Sequence, residues 1–229
     1  MSRSLMSKRT RPRAKTVAEL TDRGARAHFV RGDIADLTQH ARIIDTLYSA
    51  LGGLDCVVNN AGVSVERRGD LLDVTPESFD RVIGINLRGT FFFTQAVARR
   101  MIAESRPAEA PARSIITISS SNAWLIGPDR AEYCISKTGL STMTKLFALR
   151  LASQRIYTVE VQPGIIRTDM TAVATEKYDC LIPGGLTPIA RWGKPDDVGR
   201  AVAALATGAI PFSTGHSYRI DGGLHIHKL

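Results

Sequence analysis

The chain has 229 residues, 44% of them hydrophobic, and a formal net charge of +8, enough apolar material for one domain with a substantial core. No run approaches the roughly eighteen apolar residues that a membrane-crossing helix requires, and the first fifteen residues lack the apolar segment of a secretory signal, so a cytoplasmic protein is expected. Cys56, Cys134 and Cys180 are odd in number and widely spaced, which argues against a disulfide framework or a zinc site and for buried thiols.

Six positive charges, Arg3, Lys8, Arg9, Arg11, Arg13 and Lys15, fall in MSRSLMSKRTRPRAK with no acidic residue among them; taking those six from +8 leaves +2, an ordinary balance. A basic arm of this kind suits nucleic acid, a membrane surface or an organelle transit segment, yet most such segments are simply solvated. Residues 1–15 are therefore expected to be a disordered head, residues 16–229 a single domain, and nucleic acid is not the expected partner.

Beyond the head, TVAELTDRGA has helical spacing with Gly24 as a stop, and AHFVRGDI reads as a short strand. LTQHARIIDTLYSALGG is an amphipathic helix ended by Gly52 and Gly53. LDCVVNNAG is an apolar run that stops at a polar, Gly-terminated turn, as suits a strand buried on both faces. A long helix follows over roughly Pro76 to Ala103, then the surface loop RPAEAPARS, the strand SIITISS, a helix around Glu132 to Ala152, the strand YTVEVQPG and a final short strand near HSYRID. Strands alternating with helices of this length predict an α/β fold, a doubly wound, Rossmann-like parallel sheet with helices on both faces.

Ligands of such sheets bind beyond the carboxyl ends of the strands. That rule selects Asp33 and Ile34, Asn59 to Gly62, Ser119 to Ser121, and Pro163 to Thr168. Tyr133 and Lys137 lie four apart in EYCISKTGL and so share a helix face; an ammonium beside a phenol favours the phenolate, which makes the pair a candidate general acid or base. The pattern is common on surface helices, and only its context gives it weight. The strand ending ITISSSNAW places Ser120 thirteen residues before Tyr133, so that both hydroxyls can reach one carbonyl oxygen. Asn86, in INLRGTFFF, sits in a helical stretch where asparagine is a poor former and suggests a local kink.

NNAG at Asn59 to Gly62, Asn86 in INLRG, Ser120, the Tyr133/Lys137 pair, PGIIRTDM from Pro163, RWGKPDDV from Arg191 and DGG at Asp221 to Gly223 resemble, in order and spacing, the short-chain dehydrogenases/reductases. The resemblance covers the chain from about Thr16 onward and is closest to the 3-oxoacyl-[acyl-carrier-protein] reductase type; sugar and polyol dehydrogenases share nearly all these signals. It implies a catalytic set of Asn86, Ser120, Tyr133 and Lys137. Tyr133 would exchange the proton with the substrate oxygen, Ser120 would orient that oxygen, Lys137 would lower the Tyr pKa and hold the nicotinamide ribose, and Asn86 would hold a relay water. It also implies an NADP or NAD site, with NADP the lean for acyl reductases. Asp33 and Ile34 would line the adenine pocket, Asn60, Ala61 and Gly62 the ribose beside it, and Pro163, Gly164, Ile166 and Thr168 the nicotinamide side with Tyr133 and Lys137. The segment from Met170 to Trp192 falls where the family keeps a mobile substrate lid, with a plain surface loop as the rival reading. His216, His225 and His227 show no metal spacing and read as surface or subunit-contact residues, and no metal is expected. The family's partners are a small-molecule or acyl-thioester substrate and further copies of the chain, as a homodimer or homotetramer.

One part of the pattern is not found. The family begins with a strand, a turn of the T-G-x-x-x-G-x-G kind, a helix whose N-terminus faces the pyrophosphate, and a second strand. This chain has no glycine before Gly24. With a family strand order of 3-2-1-4-5-6-7, the first two strands are missing, AHFVRGDI is left without a partner and LDCVVNN with an exposed edge. The expectation is a truncated or frame-shifted product whose true start lies upstream. Two functions follow: an NAD(P)-dependent oxidoreductase with an intact catalytic set, or an impaired homologue that retains the shell as a binding or structural protein.

Overall fold

The computed structural model describes residues 11–226, and among them four strands form one parallel sheet in the order β1 (Cys56–Asn59), β2 (Arg113–Ile118), β3 (Ile156–Pro163), β4 (Ser217–Ile220). β2 and β3 pair over six positions, from Arg113 opposite Ile156 to Ile118 opposite Val161. β1 pairs with β2 alone over four, with Val58 opposite Ile116. The seven α-helices are α1 (Arg11–Asp22), α2 (His40–Leu51), α3 (Pro76–Ile83), α4 (Thr90–Ala103), α5 (Ala131–Leu151), α6 (Thr175–Leu181) and α7 (Pro195–Ala206). One core cluster joins α2, α4 and α5 to the sheet through Ile44, Val97, Met101, Ile115, Leu151 and Ile156; on the opposite face Ile116, Val159 and Val161 meet Leu205 of α7.

Local chemistry sets the boundaries. Thr75 caps α3 by accepting from the Ser78 N–H at 3.3 Å, with Pro76 in the first turn, where its missing N–H costs nothing. Gly52, at φ 83, ends α2 in the left-handed conformation that glycine adopts without strain. The long helix expected from Pro76 to Ala103 is continuous but changes character in the middle, where Gly84–Gly89 forms a π-helical segment containing Asn86. Asn86 thus marks a change of helical hydrogen-bonding pattern.

Several expectations are corrected. AHFVRGDI forms no strand among the described residues; residues 25–33 carry no regular secondary structure. The loop is instead held by Ile34, whose carbonyl accepts from His40 Nε2 at 2.8 Å and lies so close to the π-helical segment that a Cβ on Gly89 would meet it at 2.4 Å. Helix α1 spans Arg11–Asp22, and residues 1–10 of the basic head lie outside the described residues, as does His227. Arg113, taken with the loop before it, opens β2 and is buried, its guanidinium bonded to the Met101 carbonyl and Glu104. Cys180 is exposed; only Cys134 is fully buried. Helix α7 is a further element that the strand pattern did not predict.

Candidate active site

The carboxyl ends of β1, β2 and β3, the start of α5 and the segment after β3 enclose one cavity of about 750 Å³. Of the expected site residues, Asn60, Gly62, Ser120, Tyr133, Lys137, Pro163, Gly164, Ile166 and Thr168 line it. Asp33, Ile34, Ala61 and Asn86 do not. Asp33 accepts from the Ala35 N–H at 2.9 Å in an exposed turn, and the Ile34 backbone carbonyl accepts from His40. Ala61 sits between two lining residues.

Asn86 is completely buried. Its amide donates to the Val63 carbonyl at 3.0 Å and to Ser136 Oγ at 3.1 Å, and its Oδ1 accepts from the Val63 N–H at 2.8 Å. The side chain thus clamps the turn after β1 onto the π-helical segment. The clamp explains Gly62: a Cβ there would stand 3.3 Å from Asn86 Oδ1 and 3.6 Å from Lys137 Nζ. Asn59, three residues earlier, points into the core and donates to Thr94 Oγ1 at 2.8 Å.

The three consecutive serines separate by role. Ser119 is buried and donates to Glu160. Ser120 caps a short 3-10 turn, accepting from the Asn122 N–H at 3.1 Å, and its hydroxyl is the one that acts on Tyr133, favouring the phenolate. Ser121 starts the turn.

Tyr133 and Lys137 are both buried on α5, the ammonium 5.5 Å from the phenol ring centre. Lys137 Nζ donates to the Ile118 carbonyl at 3.2 Å. Burial dominates the proton affinities of both. It raises the Tyr133 hydroxyl above its ordinary value, with Ser120 and then Arg130 pulling the other way. It also pulls Lys137 down to about 8, which the Glu160 carboxylate partly offsets. The lowering of the tyrosine comes from Ser120 and Arg130 rather than from the lysine, and desolvation outweighs it: a phenolate and an ammonium each lose more hydration than their neighbours return.

The segment from Met170 to Trp192 is helical, neither a plain loop nor unattached. Asp169–Ala174 makes 3-10 turns, α6 follows, and Ile182–Leu186 closes with a π-type turn. Asp179 of α6 accepts from Arg167 at 2.8 Å and from Trp192 Nε1 at 2.6 Å, which ties the segment to both of its ends, while Met170, Thr171, Ala174 and Tyr178 line the cavity. Arg68 and Arg130 line it too and were not foreseen. Their only sequence signal is arginine in a loop, which is common. His225 is held by Asp221 at 2.8 Å, and His216 packs on Tyr218.

A family model described as Enoyl-(Acyl carrier protein) reductase matches residues 4–225. The chain is similar to a 3-oxoacyl-[acyl-carrier protein] reductase from Brucella melitensis solved in complex with NAD, at 48% identity and a TM-score of 0.90, covering 93% of this chain and 83% of that one. It is similar to a gluconate 5-dehydrogenase from Burkholderia cenocepacia J2315 in complex with NADP and tartrate, at 31% identity and a TM-score of 0.83, covering 93% and 80%. Versicolorin reductase 1 of Dothistroma septosporum is 34% identical over 224 residues, covering 91% of this chain and 80% of that protein.

Proposed function

The chain belongs to the short-chain dehydrogenase/reductase family and is an NAD(P)-dependent oxidoreductase acting on CH–OH groups, and from that premise we propose that it reduces the ketone of a 3-oxoacyl thioester. The observation that carries the reading is the convergence of Ser120, Tyr133 and Lys137 on one cavity at the strand ends.

The residues present fit the nicotinamide half of the cofactor. Asn60 and Gly62 leave one wall low, Pro163, Gly164, Ile166 and Thr168 form the other, and Lys137 brings a desolvated cation between them. A Cβ on Gly164 would fall 2.6 Å from Asp221 Cα, so the strand end runs hard against the DGG turn and holds that wall rigid. The cofactor supplies the hydride when bound, and the chain's own groups handle the proton. Ser120 Oγ donates to the ketone oxygen and fixes it beside the Tyr133 hydroxyl. Tyr133 gives up its proton to that oxygen as negative charge builds there. The raised affinity of Tyr133 for its proton keeps it a phenol at neutral pH, as reduction requires, and Lys137, charged below about 8, stabilises the phenolate left behind. Reduction therefore weakens as pH rises through about 8 and Lys137 loses its charge.

A second reading, a sugar or polyol dehydrogenase acting on an acid such as an aldonate, is favoured by Arg68 and Arg130 on the cavity wall, which suit a carboxylate. The purified chain is assayed with NADPH and NADH against an acetoacetyl thioester and against 5-ketogluconate, alongside Tyr133→Phe. Thioester turnover that falls by about two to four orders of magnitude in the variant supports the first reading. Turnover of the sugar acid alone transfers support to the second. Undetectable cofactor binding with no turnover of either overturns both and leaves the binding-protein alternative.

Assembly as a homodimer or homotetramer is part of the same proposal. Ile135, Leu146 and Leu149 of α5 are 50%, 56% and 84% exposed, an apolar burden on one helix that a second copy would cover. Sedimentation as a monomer at micromolar concentration would remove it.

A further inference from the structure

Strand β3 is buried on both faces, but the faces differ. Val159 and Val161 point toward α7, whereas Thr158, Glu160 and Gln162 point toward α5. Glu160 is completely buried. A carboxylate in that position is tolerated only where donors replace its water, and three hydroxyls from three elements do so. Ser119, at the end of β2, donates to Oε1. Ser141 of α5 donates to the same oxygen at 2.5 Å, and Ser217 of β4 to Oε2 at 2.5 Å. Neutral hydroxyl donors at this spacing match an ionised acceptor, which has lone pairs on both oxygens and no proton to give.

The donors are not scattered. Ser119 is the chain neighbour of Ser120 and follows Ile118, whose carbonyl holds Lys137. Ser141 stands one helical turn beyond Lys137, on the same face of α5. We infer that Glu160 is a positioning residue for the reaction, a buried carboxylate that locks the Ser120 strand end to the helix of Tyr133 and Lys137 and supplies the counter-charge of the Lys137 ammonium. The inference rests on the reaction proposed above for Tyr133 and Lys137.

The surroundings of Lys137 leave Glu160 as its electrostatic partner. From α5 the Tyr133 ring lies beside it, from β2 the neutral Ile118 carbonyl, and from the turn after β1 Gly62. Arg130 acts on Tyr133, and Glu160 is the charge that acts on Lys137.

The test reads Lys137 directly and needs no cofactor. Lysine Cε carbons are labelled with 13C, the Lys137 resonance is identified by its loss in Lys137→Met, and its midpoint is followed by NMR in the wild-type chain and in Glu160→Gln, which keeps the shape but removes the charge and turns one acceptor oxygen into a donor amide. The expected midpoint is about 8 in the wild type and lower by roughly one unit in the variant. An unchanged midpoint in folded Glu160→Gln overturns the inference, because a purely structural carboxylate would not move it. If Glu160→Gln does not fold, Glu160→Asp draws the carboxylate back by one methylene; a smaller fall in the Lys137 midpoint then supports the inference, and no fall overturns it. A Glu160-dependent midpoint combined with turnover indifferent to Tyr133→Phe would overturn the reaction instead, and with it the positioning role.

Discussion

Val58 of β1 and Ile116 of β2 are partners across the sheet, yet Ile116 is fully buried and Val58 is 41% exposed. Both come from apolar strand sequences, CVVN and SIITI, that read alike. The difference is in the neighbours. β2 is paired on both sides and covered by helices above and below, while among the described residues β1 is paired on one side only. The chain therefore has a finished flank, from β2 to β4, where the proton-transfer groups are gripped by a hydrogen-bonded interior, and an unfinished one around β1 and residues 25–36. A sheet of this class needs both faces and both edges of its inner strands covered, and the comparison locates where that requirement is met.

Substitutions on the finished flank should produce the larger effects. Ile116→Ala is expected to cost about 2–5 kcal/mol in chemical denaturation, since burial is complete and the methyl groups lost leave a cavity between β2 and α7. Lys137→Met should move stability the other way. A midpoint near 8 in place of 10.5 means that the unfolded chain binds the proton more tightly than the folded one, so the native ammonium is a liability at neutral pH. The wild type should gain stability as pH rises from about 8 to 10.5, and the variant should lose that dependence. After allowing for the orphaned Ile118 carbonyl, the gain at pH 7 should be about 1–2 kcal/mol, with reduction abolished. A stabilised, inactive variant would mark Lys137 as kept for chemistry at the expense of the fold.

The sequence made the finished flank legible and the other not, for physical reasons. Parallel strands bury both faces, so β2 and β3 stand out as apolar runs, and Ser120, Tyr133 and Lys137 combine uncommon chemistry with fixed spacing. Glu160 was invisible because TVEVQ reads as an ordinary alternation; its three serines lie 41, 19 and 57 residues away in sequence, and only folding brings them together. Arg68 and Arg130 were lost among thirty basic residues. AHFVRGDI has strand propensity, but a strand is a pairing rather than a propensity, and the segment finds no ladder.

Asp179 is one of the anchors of the segment from Met170 to Trp192, beside the Ile189 N–H bond to the Gly222 carbonyl and the Arg191–Asp197 pair. Asp179→Asn keeps the size of the side chain but weakens the bonds to Arg167 and Trp192, exposed at 2.8 and 2.6 Å. The loss should be about 1 kcal/mol of anchoring, read as a rise of up to roughly fivefold in KM with kcat kept. A fall in kcat with KM constant would show instead that closure positions Tyr133.

The smallest expected effect tests the comparison most directly. Val58→Ala removes two carbons from a side chain that nothing among the described residues covers on its outer side, so its cost should stay below about 1 kcal/mol, against the several expected at its partner Ile116. If the two positions cost the same, β1 is covered in solution. Repeating the measurement over a hundredfold range of protein concentration separates the coverings, because a cost that fades on dilution belongs to a second copy of the chain. A cost that appears only when NADPH or NADH is added belongs to the cavity that Val58 lines, and would make this strand end part of the cofactor's support.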